Sequence, residues 1–436
     1  MARTKKQPVN GKKRRSGGKI ALCVILSIVL AVGLIAGVFA IMNTQSTKAL
    51  LKLANNFNAV QYEEGTRLVP VKDVDGDWCF VTDGDFRIVQ ITDVHLGSGI
   101  LSAKKDRWAM NAVASMVAAE KPDLVIVTGD VDFPVPYSSG TFNNRNGAEV
   151  FCTMMEKLGV YWTFGFGNHD TEAYSYYPRE EIDKLYSEYA SKADSHCLYQ
   201  SAENIDGKGN QMIKIKNSQG IVTQAITVFD SHSYTDGDAM GILWKYDNIH
   251  QNQVDWYAGK IQKINADNAA IDASATPVKN LMFFHIALPE YRAAWKELIE
   301  ANPNVQDLNY QNTENVTYKY GVMGESSGMN PLANNGETYG IFCGIGDDNV
   351  FEVGQENGLQ GVFCGHDHLN NFSVEYKGVR LTYGMSIDYL AYSGIWKQRA
   401  QRGCTLITVH TDGSFDCVNS GYYQDKYKPD DESSVD

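Results

Sequence analysis

The sequence predicts an α/β domain, with helices on the faces of its sheet, held behind one N-terminal transmembrane helix. Three observations predict it. Strand-like apolar runs alternate with helical stretches from residue 86 to residue 166. Residues 20–42 are almost continuously apolar and carry no charge. A basic cluster, Lys12 to Arg15 with Lys19, stands directly before that run. The 436 residues allow one large domain or two ordinary ones, and 43% hydrophobic with 21% charged residues excludes a disordered or fibrous chain.

The apolar run, Ile20 to Met42, is interrupted by Ser27, Gly33 and Gly37. Its length suits the hydrocarbon core of a bilayer. The positive-inside rule places the basic tail, residues 1–19, in the cytoplasm and everything after Asn43 outside. Cleavage as a signal peptide after Val38-Phe39-Ala40 is the competing reading, but the run exceeds the usual ~7–15-residue signal core. The anchor is preferred, and both readings export the domain.

The net charge of −13 hides an asymmetry. Residues 1–19 hold eight of the 39 basic residues and no acid, which leaves 31 against 52 acids, or about −21, for the remainder. Such a surface repels nucleic acid, so no nucleic-acid partner is expected. Seven of the eight cysteines follow the apolar run, and no CxxC pair occurs. Cys404 and Cys417 flank a hairpin turn at Asp412-Gly413, and the register sets Cys417 opposite Val409 or its neighbour, beyond disulfide reach of Cys404. Mostly free, buried thiols are expected.

Beyond the anchor, residues 43–80 read as a stalk and leading strands, 81–421 as the main domain, and 422–436 as an acidic, frayed tail. Phe86 to Ile91 is a strand ending at Asp93. Lys105 to Glu120 is a helix closed by Lys121-Pro122. Leu124 to Val127 is a buried strand ending at Gly129-Asp130. Ala148 to Leu158 is a helix, and Val160 to Phe166 a strand ending at Gly167-Asn168. Further strands are expected at 225–229, 281–284, 361–364, 372–376, 379–383, 405–409 and 414–418, with a helix at 253–265. Residues 301–345, rich in Asn, Gly and Ser, read as a long loop-like excursion.

Polar residues cluster just past the buried strands, where open α/β sheets hold their ligands. They are Asp93-Val94-His95, Gly129-Asp130, Gly167-Asn168-His169-Asp170, His285 and Gly365-His366-Asp367-His368. Each alone is weak: an Asp-x-His is mostly chance, a Gly-Asp is mostly a turn, and a single histidine is mostly structural. Together, five of nine histidines and three acid or amide side chains follow strands in order. That mixed nitrogen and oxygen set suits Fe, Mn or Zn. Two ions would stand roughly 3.5–4 Å apart across one bridging carboxylate. His196, His250 and His410 read as structural, and His232 lies near the pattern without joining it.

These blocks, D-x-H, GD, GNHD, H and GHxH, resemble the calcineurin-like metallophosphoesterases, in order and over Asp93 to His368. The resemblance implies a four-layer sandwich, two mixed β-sheets flanked by helices. It implies two divalent or trivalent ions, one held by Asp93, His95 and His368 and the other by Asn168, His285 and His366, with Asp130 bridging. His169 would be the acid or charge-stabilising residue beside the phosphate, and Asp170 would help position it. Phe283 to Tyr291 and Phe363 to Phe372 further resemble the plant and fungal purple-acid-phosphatase-like branch. True purple enzymes carry a tyrosine ligand where this chain has Phe133, and they lack the histidine found here as His95, so an iron–tyrosinate site is not expected.

The resemblance implies hydrolysis of a phosphate ester by a hydroxide bridging the metals, with no covalent intermediate. A phosphomonoesterase acting on a phosphorylated small-molecule or exported substrate is the leading expectation. A phosphodiesterase of nucleotides or lipid head groups is the alternative. A non-catalytic binding protein of the same fold is the third, and the intact ligand at every block argues against it. Aromatics such as Tyr291, Tyr383, Tyr389, Tyr392 and Trp396 would mostly fill core. The oligomeric state is left open.

Overall fold

The computed structural model describes residues 17–238, 241–305, 308–325, 339–346, 349–391, 402–420 and 426–427. All of the expected acidic tail but residues 426–427, most of the basic tail, Tyr392 and Trp396 lie outside the described residues.

Strands β3 (Phe86–Ile91), β4 (Leu124–Thr128) and β5 (Trp162–Gly165) run parallel in one sheet. An antiparallel pair, β13 (Cys404–Val409) and β14 (Phe415–Ser420), completes its order β14-β13-β3-β4-β5. Alternate residues serve opposite faces, as the pleat requires. Phe86, Ile88, Leu124 and Ile126 point between the sheets. Val89, Ile91, Val125 and Val127 point to the helices α2 (Ala103–Glu120), α4 (Arg145–Leu158) and α5 (Arg179–Ala190). Burial on both faces is why these strands are mostly apolar, Arg87 in β3 being exposed. Helix α2 stops where Lys121 turns left-handed (φ 48°) before Pro122, and α4 stops at left-handed Gly159 (φ 66°).

The second sheet has nine strands among the described residues, in the order β1 (Val71–Lys72), β2 (Trp78–Val81), β6 (Gln211–Lys216), β7 (Val222–Val228), β8 (Lys279–Phe283), β10 (Leu359–Cys364), β12 (Val379–Tyr383), β11 (Ser373–Tyr376), β9 (Val316–Tyr320). Its parallel centre is β7 (Val222–Val228), β8 (Lys279–Phe283), β10 (Leu359–Cys364) and β12 (Val379–Tyr383). Leu281, Phe283 and Phe363 face the first sheet, with the two Phe rings stacked at 4.8 Å. Met282, Phe284 and Val362 face α6 (Gln251–Ile271), α7 (Pro289–Ala301) and α8 (Val350–Glu356). The layers are therefore helix, sheet, sheet, helix: the four-layer sandwich.

The structure differs from the sequence reading in five places. The apolar run and the helical stretch after it form one helix, α1 (Gly17–Asn56), rather than an anchor and a separate stalk. Its outer half is docked: Leu50 and Ala54 enter the core, while Ser46 and Thr47 donate to the Gly99 and Ser98 carbonyls. Strands β1 (Val71–Lys72) and β2 (Trp78–Val81) join the nine-stranded sheet, so the domain begins before residue 81. Strand β6 (Gln211–Lys216) was not expected because its lysines look solvent-facing. Lys214 is buried, 2.9, 3.3 and 2.7 Å from Asp73, Asp75 and Asp77. The excursion 301–345 contributes β9 (Val316–Tyr320) at a sheet edge. Cys417 pairs with Ile407 rather than Val409, still three residues from Cys404, and all eight cysteines are free.

Among the described residues, one helix is long and apolar enough to cross a membrane, and its apolar window is exposed throughout.

Candidate metal centre

The site forms where parallel strands of both sheets end. Asp93 and His95 follow β3, Asp130 follows β4, Asn168 follows β5, His285 follows β8, and His366 and His368 follow β10. Backbone bonds lash the loops together: Asp93 N to Gly129 O, His95 N to Asp130 O, and Gly365 N to His285 O. Asp93, His95, Asp130 and His366 all hold left-handed φ angles between 52° and 77°. That conformation is costly for residues with a Cβ, and its clustering here marks a site rather than a turn. Glycine is required beside it: a Cβ on Gly167 would stand 2.2 Å from Asp130 Oδ1, and one on Gly365 would stand 1.9 Å from Thr92 Oγ1.

Two donor groups result, each with its ligand atoms within 4.8 Å of one another. One is Asp93, His95, Asp130 and His368. The other is Asp130, His285 and His366. Asp130 belongs to both. Its Oδ2 lies 3.3 Å from His95 Nε2 and 3.1 Å from His285 Nε2. Asn168 Oδ1 lies 3.2 Å from His285 Nε2, which adds an amide oxygen to the second group. His285 Nδ1 faces the Thr128 carbonyl at 2.8 Å, so that nitrogen carries the proton and Nε2 is the donor atom turned inward.

The electrostatics follow from burial and crowding. Burial alone would lower His95, but Asp388 and Asp130 outweigh it and lift the imidazole to about 9. His285 is likewise lifted to about 9 against its burial, chiefly by Asp130. His368 rises well above the usual range, burial being overcome by Asp388 and Asp93. His366 falls well below it through burial and the neighbouring His285. Asp130, despite its burial, is held well below the carboxylate range by His285 and His169. Without metal, the pocket is a set of charged pairs waiting to exchange protons for cations.

His169 stands beside these groups, not among them. Its Nδ1 lies 2.7 Å from Glu172 Oε1, and its backbone N–H donates to Asp130 Oδ1 at 2.8 Å. The Tyr234 hydroxyl donates to Glu172 Oε1 at 3.1 Å and accepts from Asn168 Nδ2 at 3.1 Å. One short network therefore aims both His169 and the Asn168 oxygen. Asp170, expected to position His169, has another place. Its two oxygens accept the backbone N–H groups of Asp130, Gly167, Val131 and Asp132, at 2.7–3.1 Å. Burial, then Asp130, raises it to about 6. It holds the loop bearing Asp130, and Glu172 holds His169.

Sequence reasoning missed Glu172 and Asp388. Glu172 stands three residues past His169, directly after the short 3₁₀ turn of residues 169–171, and that spacing was a usable signal. Asp388 was recoverable by extending the strand-end rule to β12, five residues upstream. Its carboxylate lies 3.3 Å from His95 Nδ1 and 3.2 Å from His368 Nδ1. The remaining histidines lie outside the two groups. His232 stacks on His250 at 4.1 Å and meets Gln253, His196 pairs with Glu156, and His410 with Asp85 and Asp416. Phe133 packs against His95 and His169 at 5.2 and 4.9 Å between ring centroids, with no oxygen to offer an ion.

Curated relatives match two thirds or more of the chain at modest identity. The chain is 26% identical to "Probable inactive purple acid phosphatase 29" of Arabidopsis thaliana, over 78% of this chain and 82% of that protein. It is 28% identical to "Probable inactive purple acid phosphatase 14" of the same plant, over 74% and 75%. It is 24% identical to "Phosphatase DCR2" of Saccharomyces cerevisiae, over 67% of this chain and 45% of the yeast protein. The family model described as calcineurin-like phosphoesterase matches residues 86–370, which begin at β3 and end just past His368. With that match spanning well over half of the sequence and all the donor residues, the chain belongs to the calcineurin-like phosphoesterase family.

Proposed function

We propose that this chain is a two-metal hydrolase of phosphate esters, foremost a phosphomonoesterase, anchored in the membrane with its catalytic domain outside the cytoplasm. The observation that carries the reading is Asp130, shared by two buried donor groups. The donors fit two ions of the Fe, Mn or Zn type: neutral-capable imidazoles, two carboxylates and an amide oxygen, with no thiolate. Asp93, His95 and His368 would hold one ion and Asn168, His285 and His366 the other. Bound there, two ions supply a water acidified to near neutrality and an electrostatic clamp on phosphate oxygens.

The chain's own residues do the rest. His169, a quarter exposed on its side chain, faces the open side of the site. With Glu172 at its Nδ1 it can carry a positive charge toward the phosphate or pass a proton from Nε2 to the departing oxygen. Asp388 and Asp170 hold the donors in place from behind. Two relatives are named as probably inactive. This chain keeps a donor at every block, which supports turnover. The membrane reading is supported by an exposed apolar helix preceded by basic residues.

The test is metal analysis of the full chain purified without chelators, followed by a panel of soluble mono- and diesters. Two ions per chain with monoester hydrolysis supports the reading. A metal-loaded chain that hydrolyses no ester of either class, soluble or lipid-borne, contradicts it.

A further inference from the structure

The far ends of two metal-donor loops meet on the membrane helix. Asn43 is the first polar residue after the apolar run. Its side chain accepts from Ile100 N at 2.9 Å and donates to Gly140 O at 2.7 Å. Ile100 ends the loop that starts at Asp93 and His95, and Gly140 ends the segment that starts at Asp130. The first loop is stiff: buried Asp106 accepts from Gly97 N, Ser98 N and the Ser102 hydroxyl. Five residues from His95 to Ile100 span at most roughly 17 Å of chain. The donors therefore lie within about that distance of the bilayer's hydrocarbon edge, where headgroups already fill roughly 5–8 Å.

The surface around Asn43 suits a bilayer. Leu101 is 53% exposed, Tyr137 82% and Phe142 37%, all on these same two segments. Exposed Leu and aromatic side chains beside a spanning helix are the usual residues of the interfacial belt. An apolar strip continues inward: Phe142 meets Tyr174, Tyr174 packs on Phe133, Val135 and Leu390, and Phe133 meets His169. Beside α1, a groove of about 660 Å³ is lined by Ile41, Met42 and Ile100 with Lys52 and Arg107. Residues 43–61 contain no acid, although the exported chain as a whole is acidic. That stretch carries Lys48 and Lys52, so it does not repel anionic lipid.

From this we infer that the substrate is a phosphate ester carried on a lipid of the outer leaflet, taken from the bilayer surface along the apolar strip. The inference rests on the hydrolase and anchor readings above, and names the substrate class for that site. A domain bonded to its anchor at Asn43, Ser46 and Thr47 has no free stalk with which to search solution. It is held instead against a surface where lipid phosphate is concentrated.

The experiment uses the full chain, metal-loaded, in phosphatidylcholine nanodiscs containing dioleoyl phosphatidic acid. Glycerol 3-phosphate and p-nitrophenyl phosphate are the soluble comparisons. Phosphatidic acid is expected to exceed glycerol 3-phosphate in kcat/KM by at least about tenfold. Leu101→Ser with Tyr137→Ser should lower the rate on the lipid by about tenfold, as loss of interfacial apolar area implies, and leave p-nitrophenyl phosphate unchanged. Tyr137→Trp should be quenched by brominated lipid. If soluble esters turn over, phosphatidic acid is no better, and the tryptophan is unquenched, the lipid inference is overturned while the hydrolase reading survives. If no ester of any kind turns over, both are overturned.

Discussion

The Asp388 carboxylate lies 3.3 Å from Nδ1 of His95, on the side of the ring opposite the shared Asp130. The same carboxylate meets His368 Nδ1, and Asp388 N–H donates to the Asp93 carbonyl at 2.8 Å. A single residue thus holds three donors of one group. Despite its burial, His95 and His368 keep Asp388 well below the usual carboxylate range, so it is an anion. Partners of this kind fix ring orientation and raise ligand basicity, and their loss typically costs 10–100-fold in metal affinity. Asp388→Asn should weaken the His95 and His368 group by about that factor and spare the His285 group. Stepwise metal titration of the chelated variant checks it; equal weakening of both steps would contradict the assignment.

Glu172 and His169 form the second pair to test. His169→Ala should leave two metals bound and lower kcat by ~10²–10⁴-fold on an ester with a poor leaving group. An activated aryl phosphate should lose less, because its leaving group hardly needs a proton. Glu172→Gln should follow the same pattern more mildly, since it removes the charge that supports an imidazolium. A loss of bound metal in His169→Ala would remove His169 from its place beside the centre.

Protonation predicts an unusual stability profile for the metal-free chain. His95 and His285 have folded values of about 9, above the unfolded value of 6.5. Protonation therefore favours the folded state fully below pH 6.5, and that benefit disappears as pH rises through about 9. Raised His250 and His410 act in the same direction. Tm of the chelated chain should fall across this window, and the metal-loaded chain should lose much of that slope because cations replace the protons. A chelated chain whose Tm is flat or rising there would contradict the charge pairing.

Much of this was legible in the sequence because strands β3, β4, β5, β8 and β10 each carry an apolar run and end abruptly in polar blocks. Each donor sits at a strand end, so locating strands located the site. What stayed hidden was relational. Lys214 looks exposed until three aspartates from another strand region surround it. Helix α7 is written at helical spacing in Tyr291, Ala294, Trp295 and Leu298, but it is short and begins just after His285. Asp388 follows a four-residue gap after β12, farther from its strand end than any of the donors. Glu172, not Asp170, meets His169 because a 3₁₀ turn follows Asn168.

Phe133 offers a spectroscopic check. Loaded with ferric iron, the chain should show no strong tyrosinate-to-iron absorption, since Phe133 lies beside His95 without an oxygen. Phe133→Tyr should introduce such a band if the ring keeps its place. A strong band in the unaltered chain would mean that another tyrosine reaches the metal.

Asp130 carries the central claim, because both donor groups pass through it. Asp130→Asn removes one negative charge from between two cations while preserving shape. The decisive measurement is metal content and ester turnover of this variant beside the unaltered chain, purified identically. The account predicts two ions and hydrolysis in the unaltered chain, with most metal and activity lost together in the variant. A variant that keeps two ions and the full rate would contradict it.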